Sequence, residues 1–470
     1  MRAKKAVAVA AAALMAATAV GALAGCGGDP EHTIEILLLA NNNETAFYRE
    51  YFKEMEETLL EETGVKYKIN FRGQQEGPYK DQLGSAVQRD SLPDIFYLRP
   101  NEILQYKDKI ANLQSYADGA GAEYADLSDV HETALNMYRF NPQTGTLGNP
   151  EDDLYAFPKD LSSQQLGYNR KQVEKYQMYI KEAGLKLPWE MDWETETYTW
   201  DEYLTMCKTI ADHAESGTYA ACDVPSIEIL AHSFGGELID LSEGRTNGKI
   251  NSLTEGAVQQ AIEYQARLID CGAADYKRAT YSNFSAGRVC FYGLVGSWEI
   301  GEYNNNPSLG KGNWEVMPWP TVDGGTEWAG TITSAGYVVS KKCASMAKGD
   351  IAKRIAISFM SSYTQNKLVR DSQISLPLLK SWEEDYKSSE NDSVYSPASR
   401  GVYLDVISGK HGFFPAEYST YDSVWIDQFN TPLEVMWNEG KGKALAKYNS
   451  TDWAATQSTM QQYYDRTKNN

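Results

Sequence analysis

The sequence lacks the motifs that carry the chemistry of common enzyme classes. It contains no glycine-rich phosphate loop, no HExxH pair and no GxSxG turn. Its five histidines are scattered, and none has a second ligand-type residue at convincing metal spacing (His32, His131, His213, His232 and His411). We therefore expect no metal and no cofactor. Nothing in the sequence selects a catalytic pair from the 64 Asp and Glu residues.

Positive charge is also in short supply. The chain has 44 Lys and Arg against 64 Asp and Glu, which gives a formal net charge of −20. A nucleic-acid partner needs clustered Lys and Arg, and a basic membrane-surface patch needs the same. The charge balance argues against both.

Cysteine is scarce, with six residues in 470 and no CxxC motif. Apart from Cys26, the thiols are those of Cys207, Cys222, Cys271, Cys290 and Cys343. Five is an odd number, so at least one thiol is free or pairs between chains. Buried free thiols are the favoured interpretation. A disulfide between Cys207 and Cys222, or between Cys271 and Cys290, stays open.

Long apolar runs are confined to the start of the chain. Arg2, Lys4 and Lys5 precede an Ala/Val/Leu-rich run at 6–20, and Leu-Ala-Gly-Cys at 23–26 follows. This order predicts an export signal over residues 1–25. It resembles a bacterial lipoprotein signal, whose cleavage leaves Cys26 as the lipid-bearing terminus and 26–30 as a linker. The alternatives are an ordinary secretory signal and an N-terminal membrane helix.

The chain does have length and aromatic residues. Its 13 Phe, 11 Trp and 31 Tyr supply ample surface for burial, so the composition is not that of a disordered chain. A chain of 470 residues is long enough for two or three domains, or for one interleaved pair.

Apolar patterning predicts a β-α-β-α-β beginning. Strands are expected at 33–39, 65–71 and 95–98, with helices at 47–60 and 79–89, and the sheet should be parallel. Ligands bind beyond the carboxyl ends of such strands. This rule selects polar and aromatic side chains after the first and third strands, namely Asn42, Asn43, Glu44, Tyr97, Arg99 and Asn101. Later helices are expected at 254–271, 349–362 and 431–447, with a Trp-rich exposed insertion at 188–201.

A series of short motifs also runs through the chain in a fixed order. They are TIEILLLA at 33–40, LPDI at 92–95, LYAFP at 154–158, YNR at 168–170, YTWDE at 198–202, FGG at 234–236, NFSAGR at 283–288, GSW at 296–298, VMPWP at 316–320 and SAG at 334–336. Together they resemble extracellular solute-binding protein family 1, the carbohydrate-binding proteins of ABC importers that include maltose-binding protein. The segment 283–298 is the most specific match. Two features depart from the pattern: the Trp-rich insertion, and Cys290, where the family has a small residue. They leave the fold and class unaffected but make the identity of the ligand harder to assign.

The resemblance implies an α/β fold of the periplasmic-binding-protein type II. Each of its two lobes would be built on a doubly wound sheet, with the ligand cleft between the lobes. Lobe 1 would hold 31–158 and 330–372, and lobe 2 would hold 159–329 and 373–470. The cleft would close by a hinge motion, and no bond would be made or broken.

The function implied is that of a monomeric, lipid-anchored receptor rather than an enzyme. It would capture a carbohydrate and deliver it to the permease subunits of an ABC importer. The many aromatic residues favour an oligosaccharide as the ligand. The receptor would stand on the outer face of the cytoplasmic membrane, as on a Gram-positive cell.

The resemblance also implies further binding residues. Trp298 stands where the family commonly has an aromatic that stacks on sugar, and Trp425 resembles a late aromatic that faces the cleft. Trp328 lies just before the second crossing between lobes, and Asp160 lies just past the first. Gly336 would permit close backbone approach. The plain alternatives are core packing for the tryptophans and an exposed hinge charge for Asp160.

Two other functions stay open. The same fold could bind a peptide, a polyamine or another cation, which the acidic balance motivates. A secreted glycoside hydrolase is a remote alternative that rests on the abundant acids and aromatics. A salt-insensitive affinity for a neutral sugar would dispose of the first. Release of products from glycans would support the second.

Overall fold

The protein was analysed as a computed structural model that describes residues 30–214, 221–240, 247–373, 375–392, 397–413 and 424–467. The expected export signal and the lipidation residue Cys26 lie outside these ranges. Within them, no helix has both the length and the apolar character needed to cross a membrane. The described chain is a mixed α/β structure with two five-stranded sheets, each of which forms the centre of one lobe.

The strands are numbered in chain order. They are β1 (Thr33–Leu39), β2 (Lys68–Gln74), β3 (Ile95–Leu98), β4 (Arg139–Phe140), β5 (Asp153–Leu154), β6 (Phe157–Pro158), β7 (Ser162–Asn169), β8 (Ile239–Asp240), β9 (Lys249–Ile250), β10 (Phe291–Gly296), β11 (Trp314–Met317), β12 (Gly330–Thr333), β13 (Gly336–Val339) and β14 (Gly412–Phe413).

The α-helices are numbered in the same way. They are α1 (Asn42–Thr63), α2 (Glu76–Gln88), α3 (Gln114–Asp118), α4 (Glu132–Asn136), α5 (Arg170–Glu174), α6 (Gln177–Glu182), α7 (Trp200–His213), α8 (Ile227–Ser233), α9 (Gly256–Asp270), α10 (Tyr281–Ser285), α11 (Ile300–Asn305), α12 (Lys341–Ala344), α13 (Gly349–Ile357), α14 (Ser362–Asn366), α15 (Glu383–Lys387), α16 (Gly401–Ile407), α17 (Val424–Glu439), α18 (Ala444–Ser450) and α19 (Trp453–Thr467). Short 3₁₀ turns include Pro100–Tyr106 and Ser297–Glu299, and Lys367–Asp371 forms a π turn.

The first sheet has the strand order β2-β1-β3-β13-β6. Strand β1 is parallel to both β2 and β3, as the β-α-β-α-β pattern predicted. Strand β13 arrives from far along the chain and pairs antiparallel with β3 and with β6. Because β1 is covered on both faces, its TIEILLL sequence is almost continuously apolar.

The second sheet is organised around β7. Strands β10, β11 and β12 each pair antiparallel with it, and β14 pairs parallel with β12. Alternate β7 side chains face opposite layers. Leu166 and Tyr168 enter a core shared with α7, α8, α9, α17 and α19, while Gly167 on the other face contacts Val295 and Phe284.

The predicted helices follow the apolar spacing. Helix α1 buries Tyr48, Phe52, Met55 and Leu59 and ends at Gly64, whose φ of 68° is the left-handed cap that glycine favours. Its start lies earlier than expected. The Asn41 side chain accepts from Glu44 N at 2.8 Å and Glu44 accepts from Asn41 N at 3.0 Å, so this capping box brings residues 42 and 43 into the helix.

Two other sequence predictions were wrong. The helix expected at 431–447 is divided into α17 and α18, because Gly440 and Gly442 have φ values of 72° and 76° that end a right-handed helix. The segment 188–201 is not an exposed insertion. Trp189 and Trp193 pack against the second core, and Arg170 lies over the Trp189 ring at 4.8 Å.

The five cysteines of the described chain are free thiols, which is the favoured interpretation of the sequence. Cys207, Cys222, Cys290 and Cys343 are buried, and Cys271 is partly exposed. The four buried cysteines fill core positions as small apolar side chains.

Candidate functional site

Two of the segments through which the chain passes between the sheets are adjacent. Residues 159–161 join β6 to β7, and Ser334 and Ala335 join β12 to β13. Lys159 N donates to Ala335 O at 2.7 Å, Ala335 N donates to Asp160 Oδ1 at 2.9 Å, and Ser334 Oγ donates to Asp160 O at 2.6 Å. These bonds hold the two crossing segments side by side.

A buried ion-pair cluster lies on these segments. Lys159 Nζ is 3.0 Å from Glu44 Oε1 and 3.0 Å from Asp160 Oδ2, and all three side chains are nearly inaccessible. Burial alone would lower the pKa of Lys159, but the charges of Asp160 and Glu44 hold it well above its usual range. The structure thus brings together two of the residues expected to bind ligand, and it does so through a lysine that the sequence analysis passed over.

Tyr97 and Arg99 lie at the carboxyl end of β3, where the sheet rule predicted them. Tyr97 is buried, and burial raises the pKa of its phenol, which also senses the charges of Arg99, Asp160 and Lys159. The Arg99 guanidinium is 2.9 Å from Glu76 Oε1. Asn101 lies in the following 3₁₀ turn and is half-buried. Tyr97, Arg99 and the ion-pair cluster therefore share one edge of the first sheet.

Trp298 follows β10 directly and is half-buried. A Cβ placed on Gly296 would lie 2.5 Å from Trp298 Cε2, so only glycine leaves room for the indole in this position. Glu299 accepts from Tyr303 OH at 2.7 Å and from Gly296 N at 3.2 Å, and burial raises its pKa to about 7. The Trp298 ring thus packs against Gly296 and is partly exposed to solvent.

Trp328, Gly336 and Asn42 are less well placed to contact a ligand than Trp298. Trp328 is 5% exposed and stacks on His411 with ring centroids 4.4 Å apart. The space in front of Gly336 is occupied by the Tyr138 ring, which a Cβ would overlap, so the close approach here is that of a protein side chain. Asn42 is exposed on the first turn of α1. The side chains of Asn43 and Trp425 lie outside the described part of the structure.

A cavity of about 430 Å³ opens in the second lobe. Gln164, Gly293 and Thr331 form its floor on three neighbouring strands, where Gln164 pairs with both Gly296 and Thr331. The segment 223–229 forms one wall, and helix α17 forms another with Ile426, Phe429, Leu433 and Trp437. Because Gln164 is four residues from Asp160, the Cα atoms of these two residues are at most about 14 Å apart.

Asp223 is the most unusual side chain of this cavity. It is 5% exposed, and both of its carboxylate oxygens lie 2.9 Å from Gly293 N. Burial raises its pKa to about 7. A buried carboxyl group with a raised pKa that lines a cavity is a candidate for contact with a polar ligand.

Trp319 covers the same floor. Its indole packs over Gly293, where a Cβ would overlap the ring, and it lies 6.2 Å from the Trp200 ring. Its Nε1 is buried and has no hydrogen-bond partner among the residues that the structure describes. Trp319 thus brings a planar surface to the cavity.

Neither the sheet rule nor the family motifs gave a role to Asp223, Gly293 or Trp319. Asp223 and Gly293 are 70 residues apart, and only the folding of β10 beside the segment that begins α8 brings them into contact. The motif VMPWP had marked the place of Trp319 without a role. An acid directly before a Val-Pro turn, at 223–225, was the available signal for the other wall.

The arrangement is suited to binding an uncharged or polar ligand. Aromatic faces and a few fixed donors and acceptors surround a space large enough for one small-molecule unit. In the described ranges, no group of three or more His, Cys, Asp or Glu side chains could hold a metal ion.

Comparison with known proteins gives one family. The family described as bacterial extracellular solute-binding protein matches residues 40–368, well over half of the chain. A comparison with curated proteins finds no match.

Solved structures resemble this chain over nearly its whole length. The ABC substrate-binding protein Lmo0181 from Listeria monocytogenes, in complex with cycloalternan, is 17% identical with a TM-score of 0.65, over 91% of this chain and 99% of that one. The GacH receptor of Streptomyces glaucescens, studied with acarbose, is 17% identical with a TM-score of 0.65, over 94% and 100%. The sugar-binding protein MalE from Xanthomonas citri is 16% identical with a TM-score of 0.63, over 93% and 97%. At these identities the likeness establishes the fold.

Proposed function

Because the chain belongs to the bacterial extracellular solute-binding protein family, as its motifs predicted, we propose that it captures a carbohydrate between its lobes for an ABC importer. In this role it passes the ligand to the permease subunits and catalyses no reaction. The many aromatics near the site favour an oligosaccharide. The relatives studied with cycloalternan and with acarbose are consistent with this ligand class.

The observation that carries the proposal is the cavity beside the crossing segments. Its floor and walls combine aromatic rings, which suit the C–H faces of a sugar, with Asp223, Gln164 and Thr331, which suit its hydroxyls. Trp298 stands next to the same floor, because Gly296 pairs with Gln164. On the opposite lobe, Tyr97, Arg99 and Asp160 offer the second half of the site.

The lobe division remains part of the proposal. Hydrogen bonds favour two adjustments to the boundaries at 330 and 372. Strand β12 pairs with β7, so the second crossing falls at Ser334 and Ala335. Leu378 O accepts from His131 N, and Ser381 Oγ donates to Asp129 Oδ2 at 2.6 Å, so the first lobe extends to about residue 381.

The remaining site residues are assigned from the family pattern and from the sheet rule. The family pattern gives Trp298, Trp425 and Trp328 as ligand-binding aromatics and Gly336 as a point of close backbone approach. The sheet rule gives Asn42, Asn43, Glu44 and Asn101 as polar groups beyond the carboxyl ends of β1 and β3. Cleavage before Cys26 leaves a lipid-anchored monomer on the outer face of the cytoplasmic membrane, as in a Gram-positive cell. A Cys26→Ala variant should then appear in the culture medium; retention on the membrane would contradict the anchor.

A cationic ligand is the second candidate, because the Asp223 carboxylate lines the cavity and has no cation beside it among the described residues. A polyamine or a basic peptide would pair with it. Such binding should weaken steeply between low and high salt, whereas a neutral sugar should bind with little salt dependence.

The test is a thermal-shift screen of the full chain against mono- and oligosaccharides, with spermidine and a basic peptide included. A ligand at 100 times its dissociation constant adds about 2.7 kcal/mol to the free energy of unfolding, enough to move the melting temperature by degrees. A selective shift with sugars is the expected result. A melting-temperature shift with spermidine alone, abolished by salt, would mean that the ligand is a cation and not a sugar. Release of products from a glycan would overturn the proposal that the protein catalyses no reaction.

A further inference from the structure

The lining of the second-lobe cavity contains acids and no bases. Asp223 and Glu228 belong to it and are 5% and 7% exposed. Among the residues that the structure describes, no Lys, Arg or His side chain lines the cavity. The undescribed segments 215–220 and 414–423, which precede Asp223 and α17 in the sequence, contain three acids and no Lys, Arg or His. A sugar unit in this cavity therefore meets carboxyl groups without a cation from any of these parts of the chain.

The basic residues nearest in sequence to the lining are engaged elsewhere. Lys277 and Arg278 follow the lining residue Tyr276 directly, and both are exposed. Arg278 Nε lies 3.4 Å from Asp275 Oδ2, and Lys277 Nζ donates to Asn438 Oδ1. Neither belongs to the lining, so they would leave a negative charge inside the cavity uncompensated.

The two cations of the first-lobe half of the proposed site are also paired. Arg99 Nη2 lies 2.9 Å from Glu76 Oε1. Lys159 Nζ lies 3.0 Å from both Glu44 Oε1 and Asp160 Oδ2. A ligand carboxylate at either place would compete with a carboxylate that the protein already supplies.

This distribution of charge treats a neutral sugar and its uronic acid differently. The two molecules differ at one carbon, where a carboxylate replaces a hydroxymethyl group. A hydroxyl enters the cavity uncharged and can donate to a carboxylate or accept from other polar groups of the lining. A ligand carboxylate loses its hydration, finds no cation and faces carboxylates of the same sign, and each of these effects disfavours binding. The same argument applies to a phosphate group.

We propose that the cavity selects sugars by charge: it admits a neutral sugar unit and rejects a unit that carries a carboxylate or a phosphate group. Asp223 and Glu228 are the residues that determine this specificity, because they place negative charge on the lining and no described cation offsets it. The inference rests on the proposed function, since it names the class of sugar that the same site takes.

The experiment is isothermal titration of the full chain with matched sugars. The pairs are glucose with glucuronate, galactose with galacturonate, and galactobiose with digalacturonate, in which either unit brings a carboxylate into the cavity. Burial raises the pKa of Asp223 to about 7, so the titrations are run at pH 8, where its carboxyl group is ionised. In each pair whose neutral member binds, we expect the uronate to bind at least tenfold more weakly.

Two controls on the unaltered protein separate charge from size and the cavity from the surface. Glucuronamide and galacturonamide have nearly the shape of the uronates without their charge, so they should bind about as tightly as glucose and galactose. Repeating the titrations in about 0.5 M NaCl screens the exposed charges of this acidic chain, whereas rejection by buried carboxyl groups should persist.

Two variants then locate the effect. Asp223→Asn removes a buried charge, and Asn430→Lys places a cation on the lining. Each should narrow the ratio between the affinities for the neutral sugar and the uronate at least threefold. Asp427→Asn is the matched control, because Asp427 is an exposed acid of the same helix as Asn430 and lies outside the lining, so the ratio should stay unchanged. Melting curves verify that all three variants are folded.

The outcomes separate this inference from the function on which it rests. Equal affinity for both members of a pair would overturn selection by charge and leave sugar capture intact. Amides that bind as weakly as the uronates would mean that size is what excludes them. Rejection that disappears in salt, or that Asp427→Asn relieves as much as Asp223→Asn, would overturn the assignment to the cavity. A folded protein that binds no sugar of either kind would overturn the proposed function, and this inference with it.

Discussion

The raised pKa of Asp223 predicts that its carboxylate weakens the fold at neutral pH. The unfolded carboxyl ionises near its ordinary value of 3.8, whereas burial keeps the folded one protonated up to about 7. Between these values the folded state holds a proton that the unfolded state has lost, so the free energy of unfolding falls as pH rises and stays low above about 7. The difference between 3.8 and about 7 corresponds to about 4 kcal/mol.

An Asp223→Asn substitution should remove this penalty. The amide oxygen can still accept from Gly293 N, but its NH₂ needs new partners, which offsets about 1 kcal/mol of the gain. We therefore expect the variant to be about 2–3 kcal/mol more stable than the natural protein at pH 8 and no more stable at pH 4. The assay is urea unfolding of both proteins at pH 4, 5, 6, 7 and 8.

The pH dependence decides the outcome. A stability difference that grows between pH 4 and 7 supports the argument, and one that is constant over this range refutes it. Asp160→Asn is the opposite control, because Asp160 pairs with Lys159 at 3.0 Å and its neutralisation should destabilise the fold at pH 8. A stabilising effect of both substitutions would mean that any lost acidic charge helps this acidic chain.

Three further predictions concern the rest of the molecule. Trp298→Ala should weaken sugar binding at least tenfold by calorimetry while the melting curve stays cooperative; an unchanged affinity in the folded variant would remove Trp298 from the site. Lys159→Met leaves two buried carboxylates, those of Glu44 and Asp160, without their cation and should cost about 3–5 kcal/mol in urea unfolding; a change below 1 kcal/mol would mean that the cluster is hydrated. Of the five cysteines of the described chain, at most Cys271 should react with Ellman's reagent in the native protein, since the other four are buried; rapid reaction of two or more of these five would contradict their burial.

The β1-to-β3 part of the first lobe was largely predictable because its elements are local. The apolar runs at 33–39 and 95–98 coincide with β1 and β3, and the spacing at 48, 52, 55 and 59 marks the buried face of α1. Each signal extends over a few residues and reports burial directly. The start of α1 was misjudged, because three successive asparagines are typical of a loop and equally of a helix cap.

The second lobe and its cavity were not predictable in the same way, because they are formed by residues that are far apart in the sequence. Strand β7 pairs with three later strands, and none of these pairings leaves a signal in the sequence of β7 itself. Asp223 and Trp319 are recognisable as site residues only in the folded structure, where both contact Gly293. Hydrophobic patterning identifies which side chains are buried, but the partners of a buried polar group follow from tertiary packing alone. Family motifs located Trp298, and they had nothing to say about these two residues.

The position of β13 in the first sheet has a consequence for how the chain is made. Strand β13 separates β3 from β6, so the sheet is incomplete until residue 339 has left the ribosome. Leu98 and Gly336 are 238 residues apart, and synthesis at about 5–20 residues per second takes about 12–50 s to cover that stretch.

Throughout that interval the nascent chain exposes the unpaired edge of β3, with Ile95, Phe96 and Leu98 beside it. Such an edge invites pairing with other chains. A chain cut short before residue 336 should therefore aggregate rather than form a smaller stable lobe.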